Sequence, residues 1–368
     1  MPGVPRVQAG GVGAKLPRRV EDVPTPCLVV DLDVFEANVA AADRLAAGTA
    51  TRIRPHVKTH RTPALAVRQQ TDLARGVTCA TVGEAEAMVD AGIDDIFVAN
   101  EIVSPTKLDR LAALSRRARV AVALDSEVGL SRLSEAAVRA GAAVDALVDV
   151  DVGLGRCGVP TPEAARGLAL LADAAPRVRF AGLMGYEGRV RAADGDRTAR
   201  VREAYEGLAR AVAAVEASGL EVGTVSSAGT STFHEAIAAE VVTEIQAGTY
   251  CLMESDLDGL DLPFRPALEV RATVISTAPG RAVLDAGRKS IACDYGFPAS
   301  LVPDATVERV HEEHTVVHAR GKPPPLGSAF SLRPGHVRLT CNLHDELWLV
   351  RGDDVVDCVP VAARGRSH

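Results

Sequence analysis

Arg54-Pro55-His56-Val57-Lys58-Thr59-His60 closes a short apolar-alternating run that begins at Thr51, and it sets a single lysine where a strand should stop. Whether that run opens a series decides the fold. Short β-branched runs recur at Val77–Thr81, Asp95–Ala99, Arg119–Leu124, Ala146–Val150, Arg179–Gly185, Glu221–Ser226 and Val241–Gln246, which with Thr51–Val57 makes eight. Ala/Leu-rich amphipathic segments separate them, at 61–75, 83–91, 104–118, 126–140, 161–175 and 196–218. Such alternation signals βαβ units around a parallel sheet. Eight units are the count of an α/β fold of the (β/α)8 TIM-barrel type, whose active site lies at the C-terminal ends of the strands. A doubly wound open sheet of similar length is the alternative.

Outward from this core, residues 1–22 are Gly/Pro/Arg-rich without periodicity and are expected to form a flexible tail. Cys27–Leu32 is an apolar run of strand length, and Asp33 stands where an N-cap belongs, before an Ala/Val-rich helical stretch to about Ala47. From about Phe264 helical periodicity fades. Val-rich runs at Leu268–Thr277, Arg281–Ala286, His314–Ala319, His336–Thr340, Glu346–Arg351 and Asp354–Val359, separated by Gly, Pro and Asp turns, predict an all-β module. The organisation therefore reads as a tail (1–22), a barrel (23–262) and a C-terminal all-β domain (263–368).

Composition narrows the function. The 368 residues are 47% hydrophobic, 24% charged and 3% aromatic, which suits a globular enzyme and argues against stacking platforms for single-stranded nucleic acid. A net charge of −7 without a long basic run gives no attraction to nucleic acid or an anionic membrane. No apolar run reaches the roughly 18–20 residues of a membrane span, and the N-terminus lacks a signal-type apolar region, so a cytoplasmic protein is expected. Seven cysteines, an odd number without a CxxC pair, read as free thiols rather than a disulfide framework.

Arg54, His56, His60 and Arg61 surround Lys58 with potential positive charge, which would favour the neutral amine that attacks a carbonyl. An anion-binding surface patch is the plainer explanation. Two Gly/Ser/Thr turns, Ser226–Ser231 and Ala247-Gly248-Thr249, follow the last two strands, where barrels frequently bind phosphate. A lysine after the first strand and phosphate-type turns after the last two suit a phosphate-bearing aldehyde, pyridoxal 5'-phosphate.

The segments Thr25-Pro26 to Asp31, Arg54–His60, Val150-Asp-Val-Gly-Leu-Gly-Arg-Cys-Gly158, Gly185-Tyr-Glu-Gly188, Ala247-Gly-Thr-Tyr250 and Asn342-Leu-His-Asp345 together resemble the D-threonine aldolase and D-serine dehydratase group of fold-type III pyridoxal-phosphate enzymes. The resemblance runs in order from about residue 24 to 365. It implies an alanine-racemase-like barrel with a C-terminal β module, a homodimer and a small amino acid substrate, and it allows strand 27–32 to join the β module. Carried over by motif, Lys58 anchors the cofactor, Arg156 faces its pyridine nitrogen and Tyr186 lies beside it. Ser227, Gly229, Thr230, Gly248, Thr249 and Tyr250 complete the implied cofactor-binding set. The implied activity is that of a lyase on a D-β-hydroxy-α-amino acid, by retro-aldol cleavage or by dehydration. A metal-independent racemase or epimerase on the same scaffold and a non-catalytic cofactor-binding protein are the alternatives.

Two positions depart from the pattern. The family holds a divalent metal (Mn, Mg or Zn) beside the cofactor through a His-x-Asp or His-x-Cys pair; here His336 is present, but its partner position is Arg338, a permanent cation and no ligand. Cys341 stands at the wrong spacing to replace it. Gly-Tyr-Glu-Gly is often followed by histidine in the family, and here Arg189 takes that place. His336, Arg338 and Arg189 are therefore carried as catalytic candidates, with a guanidinium standing in for the metal or serving a more acidic substrate. Asn100-Glu101 and Asp125 read either as support for the site or as loop caps, Asp294, His311 and His314 as solvated β-module loop residues of a kind that the resemblance allows to approach a partner subunit's site, and His344-Asp345 as ordering a turn.

Overall fold

Short apolar runs bury both faces when helices cover them, and all eight expected barrel runs lie within one compact unit made of Ala42–Lys58, Leu65–Gly248 and Arg366–His368. The second unit holds the described residues up to Ala41, Thr59–Ala64 and Thr249–Gly365. The computed structural model describes residues 16–188, 190–191 and 194–368.

The chain first forms β1 (Cys27–Asp31) and the helix Leu32–Ala46, and then the barrel strands. These are β2 (Arg52–Ile53), β3 (Val77–Cys79), β4 (Asp95–Glu101), β5 (Arg119–Leu124), β6 (Val144–Val150), β7 (Val178–Gly185), β8 (Thr224–Ser227) and β9 (Glu244–Ile245). They pair in the order β2-β9-β8-β7-β6-β5-β4-β3, all parallel. Bridges Ile53–Ala74 and His56–Thr78 tie the two ends, with the Thr78 N–H donating to the Pro55 carbonyl at 2.9 Å. That closure excludes the open doubly wound sheet. Phe97, Ala123, Leu147 and Met184, one from each of β4 to β7, form an interior layer. At Gly182 a Cβ would stand 1.8 Å from the Thr224 carbonyl oxygen with φ at +149°, so only glycine lets β7 approach β8 there.

Helix caps follow local chemistry. Ser126 and Thr161 accept the amides of Gly129 and Ala164 at 3.3 and 3.2 Å. The first helix is capped by Asp31, not by Asp33: the Asp31 carboxylate accepts the amides of Asp33 and Val34 at 2.9 and 3.1 Å. The helix expected over 61–75 is only Pro63–Arg68, and the Gln70 side chain then accepts the Gly76 amide at 2.9 Å and shapes a loop.

In the other unit β1 pairs antiparallel with β10 (Leu268–Ala278), and so belongs to the β sheet. The remaining strands are β11 (Arg281–Leu284), β12 (Ala299–Ser300), β13 (Ala305–Val310), β14 (Thr315–Ala319), β15 (Ala329–Arg333), β16 (Glu346–Arg351) and β17 (Asp354–Pro360). Their order is β13-β14-β11-β10-β1-β16-β17, with β15 pairing β10 and β12. Val20, Val23, Cys27, Val29, Trp348, Val350 and Cys358 form one of its buried clusters. Of the expected tail, residues 1–15 lie outside the described residues, whereas Val20–Asp22 forms a 3-10 turn and Arg19 pairs with Asp353 and Asp354. His336–Thr340, expected as a strand, is instead the entry to the helix Val337–Asn342. Val337, Thr340 and Cys341 are its buried positions, a helical spacing, and the Thr340 hydroxyl donates to the His336 carbonyl at 2.7 Å. All seven cysteines are free. Among the described residues no helix is long and apolar enough to cross a membrane.

Candidate active site

In the barrel unit Lys58 sits on the 3-10 turn Val57–Thr59 beyond β2. The His56 N–H donates to the Ala247 carbonyl at 3.0 Å and fixes the start of that turn. The Lys58 Nζ lies 6.0 Å from the centroid of the Tyr186 ring, and the Arg156 guanidinium carbon lies 5.4 Å from the same centroid. Residues that follow β2, β6 and β7 thus converge at the C-terminal ends of the strands.

The turn after β8 joins them. A Cβ on Gly229 would touch the Tyr186 ring carbon Cε2 and hydroxyl at 3.6 Å, so a larger residue would fill the space between turn and ring. Ala228 adopts a left-handed φ of +70°. The Gly229 N–H donates to the Thr232 hydroxyl at 3.2 Å, and that hydroxyl donates to the buried carboxylate of Glu187. Burial raises the Glu187 carboxyl above the usual range, against the hydroxyls of Thr232 and Ser227, which lower it. The Ser227 hydroxyl donates to the Gly185 carbonyl at 2.5 Å, so this side chain is spent on the barrel wall. Thr230 begins the 3-10 turn Thr230–Thr232, and Gly248 is buried beyond β9. An amine, a guanidinium on the same aromatic ring and a small-residue turn fit a flat, phosphorylated aldehyde cofactor.

One expected neighbour faces elsewhere. Arg54 donates to Glu244 at 2.7 Å and to Asp95 at 2.8 Å. Burial works against its charge, but Glu244 and Asp95 outweigh it and hold its pKa above the ordinary arginine value. Its charge is compensated within the barrel rather than offered to Lys58.

Arg156 has acidic company. Glu101, Asp125 and Cys157 each bring one donor atom within 4.8 Å of the others, and the Gly158 N–H donates to Asp125 at 3.3 Å. Asp149, near the end of β6, is 3% exposed. Burial first, then Glu101, push its carboxyl up to about 8, while the Arg156 charge pulls it down. The same surroundings push the Cys157 thiol up to about 11. Asp149 was not among the sequence candidates, although a carboxylate inside an apolar strand was a usable signal.

The β unit gathers a second group. The His336 Nδ1 lies 2.5 Å from the Asp294 carboxylate, and the Arg338 Nε donates to the His336 Nε2 at 3.1 Å. A guanidinium can only donate, so Nε2 carries the lone pair and Nδ1 carries the proton given to Asp294. The Arg338 Nη2 donates to Glu254 Oε1 at 3.1 Å, and the Val337 N–H donates to Glu254 Oε2 at 3.1 Å. Tyr295 stacks on His336 with ring centroids 4.1 Å apart. Burial and then the Arg338 charge lower the His336 pKa, against Asp294. Asp294, expected as a solvated loop residue, is an imidazole partner; Glu254 was not foreseen.

These residues do not fit a divalent cation, because the one available imidazole lone pair is taken by a guanidinium. Cys341 offers no replacement: it is fully buried, and burial pushes its thiol up to about 12. Thr249 is buried on the 3-10 turn Thr249–Cys251, and the fully buried Tyr250 packs its ring 5.5 Å from Phe264. His344 bonds the Ser290 carbonyl at 2.8 Å while Asp345 pairs with Arg364, so the two do not act as a dyad. His311 and His314 are exposed. Arg189 lies outside the described residues.

A closed (β/α)8 barrel with a lysine at a strand end, in one chain with a largely antiparallel β unit, defines an alanine-racemase-like protein. Comparison agrees. Residues 30–256 match the model of the alanine racemase N-terminal domain, and residues 267–350 match a serine dehydratase domain. D-threonine aldolase of Arthrobacter sp. is 41% identical over 94% of each chain, and 3-hydroxy-D-aspartate aldolase of Paracoccus denitrificans (strain Pd 1222) is 35% identical over 94% of each. The crystal structure of D-threonine aldolase from Filomicrobium marinum, 39% identical, superposes with a TM-score of 0.92 over 96% of this chain and 100% of that one. The chain belongs to the alanine-racemase-like family that includes D-threonine aldolase.

Proposed function

We propose that the protein is a pyridoxal-phosphate-dependent lyase that cleaves a D-β-hydroxy-α-amino acid into glycine and an aldehyde. The observation that carries the reading is the convergence of Lys58 and Arg156 on the Tyr186 ring at the C-terminal end of the barrel. Aldol cleavage is favoured over dehydration because the relatives at 41% and 35% identity are aldolases.

When bound, the cofactor supplies an electron sink for the pair released as the Cα–Cβ bond breaks. The protein's residues do the rest. The Lys58 amine would hold the aldehyde carbon. Arg156 would present fixed N–H donors to the pyridine nitrogen and, unable to give up a proton, would keep that nitrogen unprotonated. Tyr186 packs its ring against both side chains, and Gly229, Thr230 and Gly248 would let backbone amides approach the phosphate. The β-hydroxyl proton would pass to solvent water as the aldehyde carbonyl forms, and Cα would take one proton back from solvent to give glycine, so the protons balance.

The same reading expects a cytoplasmic homodimer. The exposed side chains of Tyr295, Phe297, Leu301 and Leu339 supply apolar surface for a second copy. Sedimentation of the purified protein tests the dimer.

The functional test is incubation with D-threonine, D-3-hydroxyaspartate and D-serine, scoring glycine, keto acid and enantiomer. Glycine with an aldehyde is expected, together with a visible absorbance band that Lys58→Ala abolishes. Keto acid in place of glycine would move the assignment to dehydration, and a colourless protein indifferent to pyridoxal phosphate would defeat it.

A further inference from the structure

We propose that the His336 position takes no divalent cation and that Arg338 is the cation built into the chain at that place, so the reaction runs without a metal there. The catalytic consequence rests on the lyase reading; the binding claim does not.

Metal ligation needs a free lone pair on a neutral imidazole or a carboxylate oxygen that is not already spent. At His336 the Nε2 lone pair accepts from Arg338, and Nδ1 carries the proton donated to Asp294. The residue two positions on, where a ligand would have to stand, is a group that never deprotonates. Glu254, the nearby buried carboxylate, accepts from Arg338 with one oxygen and from the Val337 amide with the other. Tyr295 covers one face of the imidazole. The Arg338 charge is thus already matched by Glu254, leaving Asp294 as the nearest uncompensated acid, too little negative charge for a dication. Both nitrogens of His336 and both oxygens of Glu254 hold protein partners.

The test is direct binding of Mn2+ and Zn2+ to chelator-treated holoenzyme, read by paramagnetic resonance and elemental analysis, for the native chain, His336→Ala, Arg338→Asp and the Arg338→Asp/His336→Ala pair. The native chain is expected to hold no ion that His336→Ala removes, and its activity is expected to survive the chelator. One equivalent of either ion that His336→Ala abolishes would overturn the proposal, as would activity lost to chelator and restored by the ion. Arg338→Asp is expected to bind Mn2+ at least tenfold more tightly than the native chain, and to lose that gain with His336→Ala. If Arg338→Asp folds and gains nothing, Arg338 is not what excludes the ion, and the proposal fails. Should Asp at 338 not fold, Arg338→Cys carries that arm, and the native arm decides by itself. A protein with no lyase activity but this same binding pattern would refute the function and leave the site intact.

Discussion

Glu254 is 1% exposed and holds two charged or polar partners at once, so it is the residue on which the Arg338 arrangement depends. Removing one member of a buried ion pair strands the other; full burial makes that cost about 3–5 kcal/mol, and the 23% side-chain exposure of Arg338 argues for the lower end. Glu254→Ala should therefore cost about 3 kcal/mol, since it also leaves the Val337 amide unpaired. Adding Arg338→Met removes the stranded charge and should recover about 1 kcal/mol. Urea unfolding followed by fluorescence measures both, because Trp348 is the chain's single tryptophan and lies buried in the same unit. An Arg338→Met/Glu254→Ala protein no more stable than Glu254→Ala would show that the pair carries no charge coupling. None of this was readable from sequence: Glu254 and Asp294 lie 84 and 42 residues from their partners, and no local pattern marks either. The placement of Lys58, Arg156 and Tyr186 beyond strand ends was readable, because each follows an apolar run within a distinctive motif.

Among elements, the strands were legible where burial on both faces produced short apolar runs, and all eight barrel strands appear where those runs lie. The helix Val337–Asn342 was not, because in six residues the pattern His-Val-Arg-Leu-Thr satisfies an alternating strand as well as a helix turn. The strands Ala305–Val310 and Ala329–Arg333 were missed for a related reason: most of their outward positions are polar or exposed, which leaves few apolar residues to mark them. The shortest barrel strands, β2 and β9 at two residues each, pair with one another. Arg54, just past β2, bridges Glu244 on β9 and Asp95 on β4, with the Ser226 hydroxyl donating to the other Glu244 oxygen at 2.7 Å. Gly76 makes room, since a Cβ there would stand 2.4 Å from the Arg54 guanidinium at a φ of +68°. The first residue of the decisive heptapeptide, Arg54, is thus structural. Arg54→Met should leave Glu244 and Asp95 facing each other without a counter-charge and destabilise the barrel by about 3 kcal/mol, read as a lower thermal midpoint in far-ultraviolet circular dichroism. An unchanged midpoint would mean that the seam is held by backbone pairing alone.

For the whole molecule, buried ionisable groups set how stability changes with pH, and here they pull in opposite directions. The imidazoles of His336 and His344 are lowered from 6.5, first by burial, so the folded chain binds fewer protons there than the unfolded one and gains stability as pH rises towards 6.5. Asp149 is raised from 3.8 to about 8, by burial and then by Glu101, with Asp125 adding and Arg156 opposing. The folded chain therefore holds a proton that the unfolded chain has lost, and stability falls as pH rises through that window. Glu187 and Glu269, also raised by burial, act with the same sign from 4.5 upward. Between 6.5 and about 8 the contributions of His336 and His344 are complete and the thiols, raised from 9.0, have not begun, while Asp149 still lowers stability as pH rises. One proton's difference gives a slope of at most about 1.4 kcal/mol per pH unit. The thermal midpoint of the native protein should drop across that interval, and Asp149→Asn, which cannot ionise, should make the drop distinctly shallower. A midpoint that falls equally in both proteins would place the buried proton on a group other than Asp149.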